Sequence, residues 1–176
     1  MLAVLGKICD MLEWGERVNP EHLDLAITFI REFADRCHHA KEEKLLFPAM
    51  ESAGVPRDGG PIGVMLSEHD EGRQFVRGMA SASAGYRNGT ANAAANFTGN
   101  ARSFIALLSE HIKKEDDILF MMADTHLTLE KQAELASEFD RVEHEEIGVG
   151  KHEEFHRLLN TMKNIYLPSD STKTRL

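Results

Sequence analysis

Two cysteines (Cys9 and Cys37), one tryptophan and two tyrosines are the scarcest chemistry in these 176 residues. Two thiols are too few for a disulfide framework, so nothing points to an oxidising compartment. No apolar run approaches the ~20 residues that a membrane span needs. The opening stretch, Met1 to Trp14, is apolar but carries Lys7, Asp10 and Glu13 at helical intervals. It has no basic leader and no small-residue cleavage site, so it does not read as a signal peptide, and the cytoplasm is the expected location. Basic residues are in the minority: 20 Lys and Arg stand against 29 Asp and Glu, a net charge of −9. That balance argues against nucleic-acid or anionic-membrane partners and suits the attraction of cations. Sustained two-residue alternation with β-branched enrichment is also missing, which excludes a sheet.

What remains is an ordinary globular composition, 42% hydrophobic and 28% charged, with nine histidines. The length fits one domain. Turn residues divide the chain into helix-length blocks. The first runs from Met1 to about Arg17, with Leu2, Leu5, Ile8 and Leu12 on one face. Asn19-Pro20 reads as an N-cap followed by proline at the first helical position. The second helix is expected to end at Phe47, stopped by Pro48. A loop over 54–60 precedes a third helix from Pro61 to about Ser83, and a turn over 85–90 precedes a fourth from Asn92 to Ala123. Shorter helices follow, Thr128 to His144 and Lys151 to Tyr166. The expected architecture is all-α: an up-down antiparallel four-helix bundle over 1–124, a helical extension over 125–167 packed on it, and a disordered tail over 168–176.

Two of these helices place charge where apolar side chains belong. The second carries the stripe Leu23, Ile27, Ile30, Ala34 and Leu45, interrupted by His38 and Glu42. The fourth carries Phe97, Ala101, Phe104, Leu108, Ile118 and Met122, interrupted by His111 and Glu115. Residues four apart lie on one helix face. A buried carboxylate without a partner is disfavoured by several kcal/mol, and a bound cation is the simplest compensation. The two segments repeat each other in register, His38 to Phe47 against His111 to Phe120, which suggests two half-sites. The third helix adds His69 on the stripe Ile62, Met65 and Val76. Imidazole and carboxylate without thiolate suit non-haem iron, with manganese or zinc as alternatives.

His-x3-Glu-Glu-x3-Phe-Pro (His38 to Pro48), Glu68-His69 and His-x3-Glu-Asp-x3-Phe (His111 to Phe120) resemble the hemerythrin-like, or HHE cation-binding, domain family. The resemblance covers roughly residues 1–124. It implies a four-helix bundle holding two non-haem irons bridged by Glu42 and Glu115, with His38, His69 and His111 as terminal ligands. It implies a protein that meets O2, nitric oxide or peroxide, with redox turnover of peroxidase or catalase type as the enzymatic alternative; a homodimer is left open. The family also places a histidine on the first helix. Counted back from His38 it falls upstream of Met1, and the first block contains none. Arg73 stands where classical members carry a second third-helix histidine, which tells against reversible O2 carriage.

His152-Glu153-Glu154-Phe155-His156 formally matches the zinc-hydrolase pattern His-Glu-x-x-His. Its candidate ligands, His152 and His156, have three readings: a zinc site, a cap that replaces the missing first-helix histidine, or ordinary packing on the bundle, which is preferred. His39, one step off the expected ligand face, reads as an outer or surface residue.

Overall fold

The computed structural model describes residues 1–148 and 150–168; for Glu146 and Ile147 only the backbone is described. The described residues are helical and contain no strand. Four rods form the bundle. The first is α1 (Leu2–Glu13). The second begins as α2 (Pro20–Phe29), passes through π-helical segments at Ile30–His39 and Glu42–Leu46, and ends as α3 (Phe47–Ser52). The third is α4 (Pro61–Arg87). The fourth joins α5 (Ala93–Lys114) to α6 (Phe120–His126) through a π-helical Glu115–Leu119. Then come α7 (Leu129–Val142), a last π-helical stretch at Glu143–Ile147, and α8 (Lys151–Tyr166).

The caps form where the residue types demand them. The Asn19 side chain accepts from the Glu21 N–H, with Pro20 at the first helical position, and Thr128 accepts from the Lys131 N–H. Asn92, at φ 61°, makes the turn into α5. The rods run antiparallel. Along the second and third, Asp24 meets Ser83, Asp35 meets Arg73 and Glu43 meets His69, in opposite chain order. Along the third and fourth, Glu68 and His69 meet His111.

Pro48 does not stop the second helix. It sits at the start of α3, directly after the Glu42–Leu46 π segment. Proline inside an α-helix clashes with the carbonyl four residues back. The wider turn before it moves that carbonyl aside, so the rod continues to Ser52.

Buried apolar residues form two clusters. One joins α1, α2, the C-terminal part of α4 and α5 through Leu5, Ile8, Leu23, Met79 and Phe97. The other joins α3, the start of α4, α6 and α7 through Phe47, Met50, Ile62, Leu119 and Leu135. The extension is more than an outer layer, since α8 places Met162 and Tyr166 in the first cluster. The Tyr166 hydroxyl hydrogen-bonds His22 Nδ1 at 2.7 Å. Of the expected tail only Pro168 lies within the described residues.

Phe97 is fully buried in the first cluster. Phe97→Ala is expected to lower unfolding free energy by about 3–5 kcal/mol, read from urea titrations; a change under about 1 kcal/mol would show that this cluster does not carry the bundle.

Candidate metal centre

Between the two apolar clusters lies a polar layer. Along α4 the buried residues pass from Met65 to His69 to Val76; along the fourth rod they pass from Phe104 to His111 and Glu115 to Leu119. His39, Glu42, His69, His111 and Glu115 are all buried there, Glu42 at 3% and Glu115 at 4% exposure. Two groups can each offer ligand atoms within 4.8 Å of one another: Glu42, His69, His111 and Glu115, and His39, His69 and His111.

The π segments aim these side chains. Each turn of a π-helix uses an extra residue, which rotates everything after it relative to an α-helix. After Glu42–Leu46 the buried position is Leu46, where Leu45 was expected; after Glu115–Leu119 it is Leu119, where Ile118 was expected and instead lies 48% exposed. The sequence repeat is therefore also a repeat of backbone geometry, since both half-sites begin a π segment at the glutamate. The ten-residue π segment Ile30–His39 has a second effect. It turns His39 inward, while the side chain of His38 is 48% exposed. His39 stacks on His69 with ring centroids 3.9 Å apart. His38 stays beside the layer: its Nε2 lies 3.5 Å from Glu115 and 3.8 Å from Glu42.

An outer ring of charges orients the imidazoles. Nδ1 of His69 is 2.7 Å from Glu43, and Nδ1 of His111 is 2.9 Å from Glu68. A carboxylate only accepts, so both Nδ1 atoms carry the hydrogen. Glu43 is held by Arg73, which also binds Asp35 and Asp70. Glu68 is held by Lys114. Burial alone would raise the Glu68 pKa, but hydrogen bonds from Lys114 and His111 lower it. Burial likewise opposes charge on Asp35, yet His39, 3.5 Å away, and the hydrogen bond from Arg73 bring its pKa down to about 2. A carboxylate on the far nitrogen of a ligating histidine fixes its tautomer and raises its basicity.

With Nδ1 protonated, the Nε2 lone pairs of His69 and His111 face inward, 3.2 Å apart. Nε2 of His69 lies 3.4 Å from Glu42 and Nε2 of His111 lies 3.1 Å from Glu115. Both Glu42 carboxylate oxygens and Oε1 of Glu115 are buried without a hydrogen-bond partner. Acceptors thus converge on acceptors, and the layer lacks positive charge. The titration behaviour says the same. His38 is raised chiefly by the Glu115 carboxylate 3.5 Å away. Burial would lower His111, but Glu115 and Glu68 raise it. Burial would raise Glu115, but His111 and His38 pull it below the usual carboxylate range. His39 behaves differently: burial lowers it to about 4, so it stays neutral with a free lone pair. Imidazole nitrogens and unpartnered carboxylate oxygens fit a divalent transition metal, and the donor set contains no thiolate.

His152 and His156 are not brought to this layer. Both are exposed on α8, with ring centroids 4.5 Å apart, and they rest on Phe33. Neither belongs to either group of potential ligands.

A bundle whose middle layer gathers imidazoles and carboxylates from three antiparallel rods is that of a cation-binding helical protein. The hemerythrin HHE cation-binding domain model matches residues 1–123, and the chain belongs to this family. Two relatives named iron-sulfur cluster repair protein YtfE are similar to it. That of Dickeya chrysanthemi (strain Ech1591) is 33% identical over 130 residues, 69% of this chain and 58% of the relative. That of Musicola paradisiaca (strain Ech703) is 32% identical over 130 residues, 68% of this chain and 57% of the relative. The chain thus spans less than two thirds of the length of these relatives. No solved structure matches it significantly.

Glu42 costs stability while its charge is uncompensated. Glu42→Met is expected to raise the unfolding free energy of the metal-free chain by about 1–3 kcal/mol, the usual cost of an unsatisfied buried polar group. Urea unfolding in the presence of a chelator reads it, and a loss of similar size would mean that the carboxylate has a partner within the protein.

Proposed function

We propose that this chain is a non-haem di-iron protein that handles O2, nitric oxide or peroxide in a stress response. The observation that carries the reading is the buried, partnerless Glu42 and Glu115 carboxylate facing the Nε2 atoms of His69 and His111. The ligands we assign are His38, His39, Glu42, His69, His111 and Glu115. Glu42 and Glu115 enter from the second and fourth rods and would bridge. His38 stands at the solvent side of the two glutamates, and His39 on the opposite, stacked side of His69. His39 takes a place beside the set that the spacing alone suggested.

Iron, when bound, supplies one-electron redox chemistry and an open coordination position. The protein's own part is to prepare the place. Glu43 and Glu68 hold the His69 and His111 Nδ1 protons, so that both Nε2 lone pairs point inward. Arg73 and Lys114 pair with those two outer carboxylates and hold them in place. Phe47, whose ring stacks near His69 at 5.9 Å, helps to exclude water from one side. The names of the YtfE relatives, iron-sulfur cluster repair proteins, support iron as the metal and a repair setting. Among the described residues no helix is long and apolar enough to cross a membrane. Among the described residues the zinc-hydrolase alternative through His152 and His156 gains no third ligand.

Anaerobic reconstitution with ferrous ion followed by elemental analysis is expected to give two irons per chain, falling below one in Glu42→Ala/Glu115→Ala and unchanged in His156→Ala. A chain that takes up no iron, or a double variant that keeps both, would refute the assignment. Glu68→Gln is expected to weaken iron binding about 10–100-fold, the usual effect of losing a carboxylate behind a ligating histidine, measured by competition with a chelator.

A further inference from the structure

A cavity of about 290 Å3 opens beside the metal layer, between the second, third and fourth rods. Its floor is His39, His69 and His111, its walls are Ile30, Val76, Phe104, Leu107 and Leu108, and Arg31, Arg73 and Arg77 also line it. The size exceeds the needs of a diatomic gas: a water-sized molecule occupies about 30 Å3. Mostly apolar walls would also leave enclosed water short of hydrogen bonds. Pockets of this size with few polar anchors are the usual form of a small-molecule site.

The charge pattern narrows the ligand class. The chain as a whole carries −9. The ionised side chains around this cavity are instead three arginines against Asp35 and Glu68. Both carboxylates are already paired, Asp35 with Arg73 and Glu68 with Lys114. Arg31 and Arg77 are exposed and have no carboxylate partner among the described residues. They are left as two guanidinium groups at the edge of an apolar chamber, and guanidinium pairs favourably with carboxylate.

Gly72 keeps the chamber open. It is buried within α4 and lines the cavity. A Cβ built there would meet Phe104 at 3.7 Å and Leu107 at 3.8 Å, ordinary contact distances. Packing therefore does not require a glycine, although glycine weakens a helix interior. Its effect is empty space.

We propose that this cavity binds a small organic carboxylate, with its apolar body among Ile30, Val76, Phe104 and Leu108 and its carboxylate on Arg31 and Arg77, so that the far end of the molecule reaches the imidazole floor. The proposal deepens the metal-centre reading, because the cavity ends on its ligands, and the two fail separately: elemental analysis reads the metal, and calorimetry reads the anion.

The test is isothermal titration of the full iron-loaded chain with acetate, butanoate, hexanoate and hexan-1-ol. Affinity is expected to rise along the acids and to be at least tenfold weaker for the alcohol than for hexanoate. Arg31→Gln/Arg77→Gln is expected to lose about tenfold for hexanoate, and Gly72→Leu to lose binding, both with unchanged iron content. No binding of hexanoate by the wild-type chain, equal affinity for the alcohol, or full retention in the arginine variant would overturn the proposal; the last would place the carboxylate on the metal. The acid series on the wild-type chain decides the matter even if a variant fails to fold.

Discussion

Two carboxylates in the interior of a helical bundle, with no hydrogen bond to three of their oxygens, set the terms for the rest of this molecule. An uncompensated buried charge is strongly destabilising. The surrounding polar groups do not relieve it, because the neighbouring imidazoles are oriented to present lone pairs rather than protons. Only added positive charge satisfies the layer, either as protons on imidazole or as metal. Two apolar clusters above and below it keep the rods together, so the bundle does not depend on the polar layer for its core.

The charges alternate outward from the centre. Glu42 and Glu115 are surrounded by imidazoles; the imidazoles are backed by Glu43 and Glu68; these are backed by Arg73 and Lys114. Each layer holds the next in one orientation. Such a shell is what a ligand set needs if its geometry is to exist before the metal arrives. Arg73 is central to this arrangement. It orders Asp35, Glu43 and Asp70 together.

Much of this was legible in the chain. Glu42, His69, His111 and Glu115 stood out as polar residues on apolar stripes, and all four are buried together. The caps at Asn19 and Thr128 followed from residue type. His39 does not stand out at an α-helical period, because its segment is π-helical. A signal was present: Leu23 and Glu42 are nineteen residues apart, and at about 100° per residue an unbroken α-helix would carry them about 100° out of line. Their shared burial therefore required extra residues per turn between them. Ile118 and Pro48 depart from the α-helical expectation for the same reason: Ile118 lies within the Glu115–Leu119 π segment, and Pro48 follows the Glu42–Leu46 one. The apolar cavity was not legible, since its walls come from three rods and only their packing encloses it.

The most direct test of the central claim is anomalous diffraction at the iron edge from crystals of the reconstituted chain. Two peaks are expected, both within the layer formed by His39, Glu42, His69, His111 and Glu115, with His38 at its open side. Peaks at His152 and His156, or an interior without a peak while Glu42 and Glu115 remain buried, would contradict it.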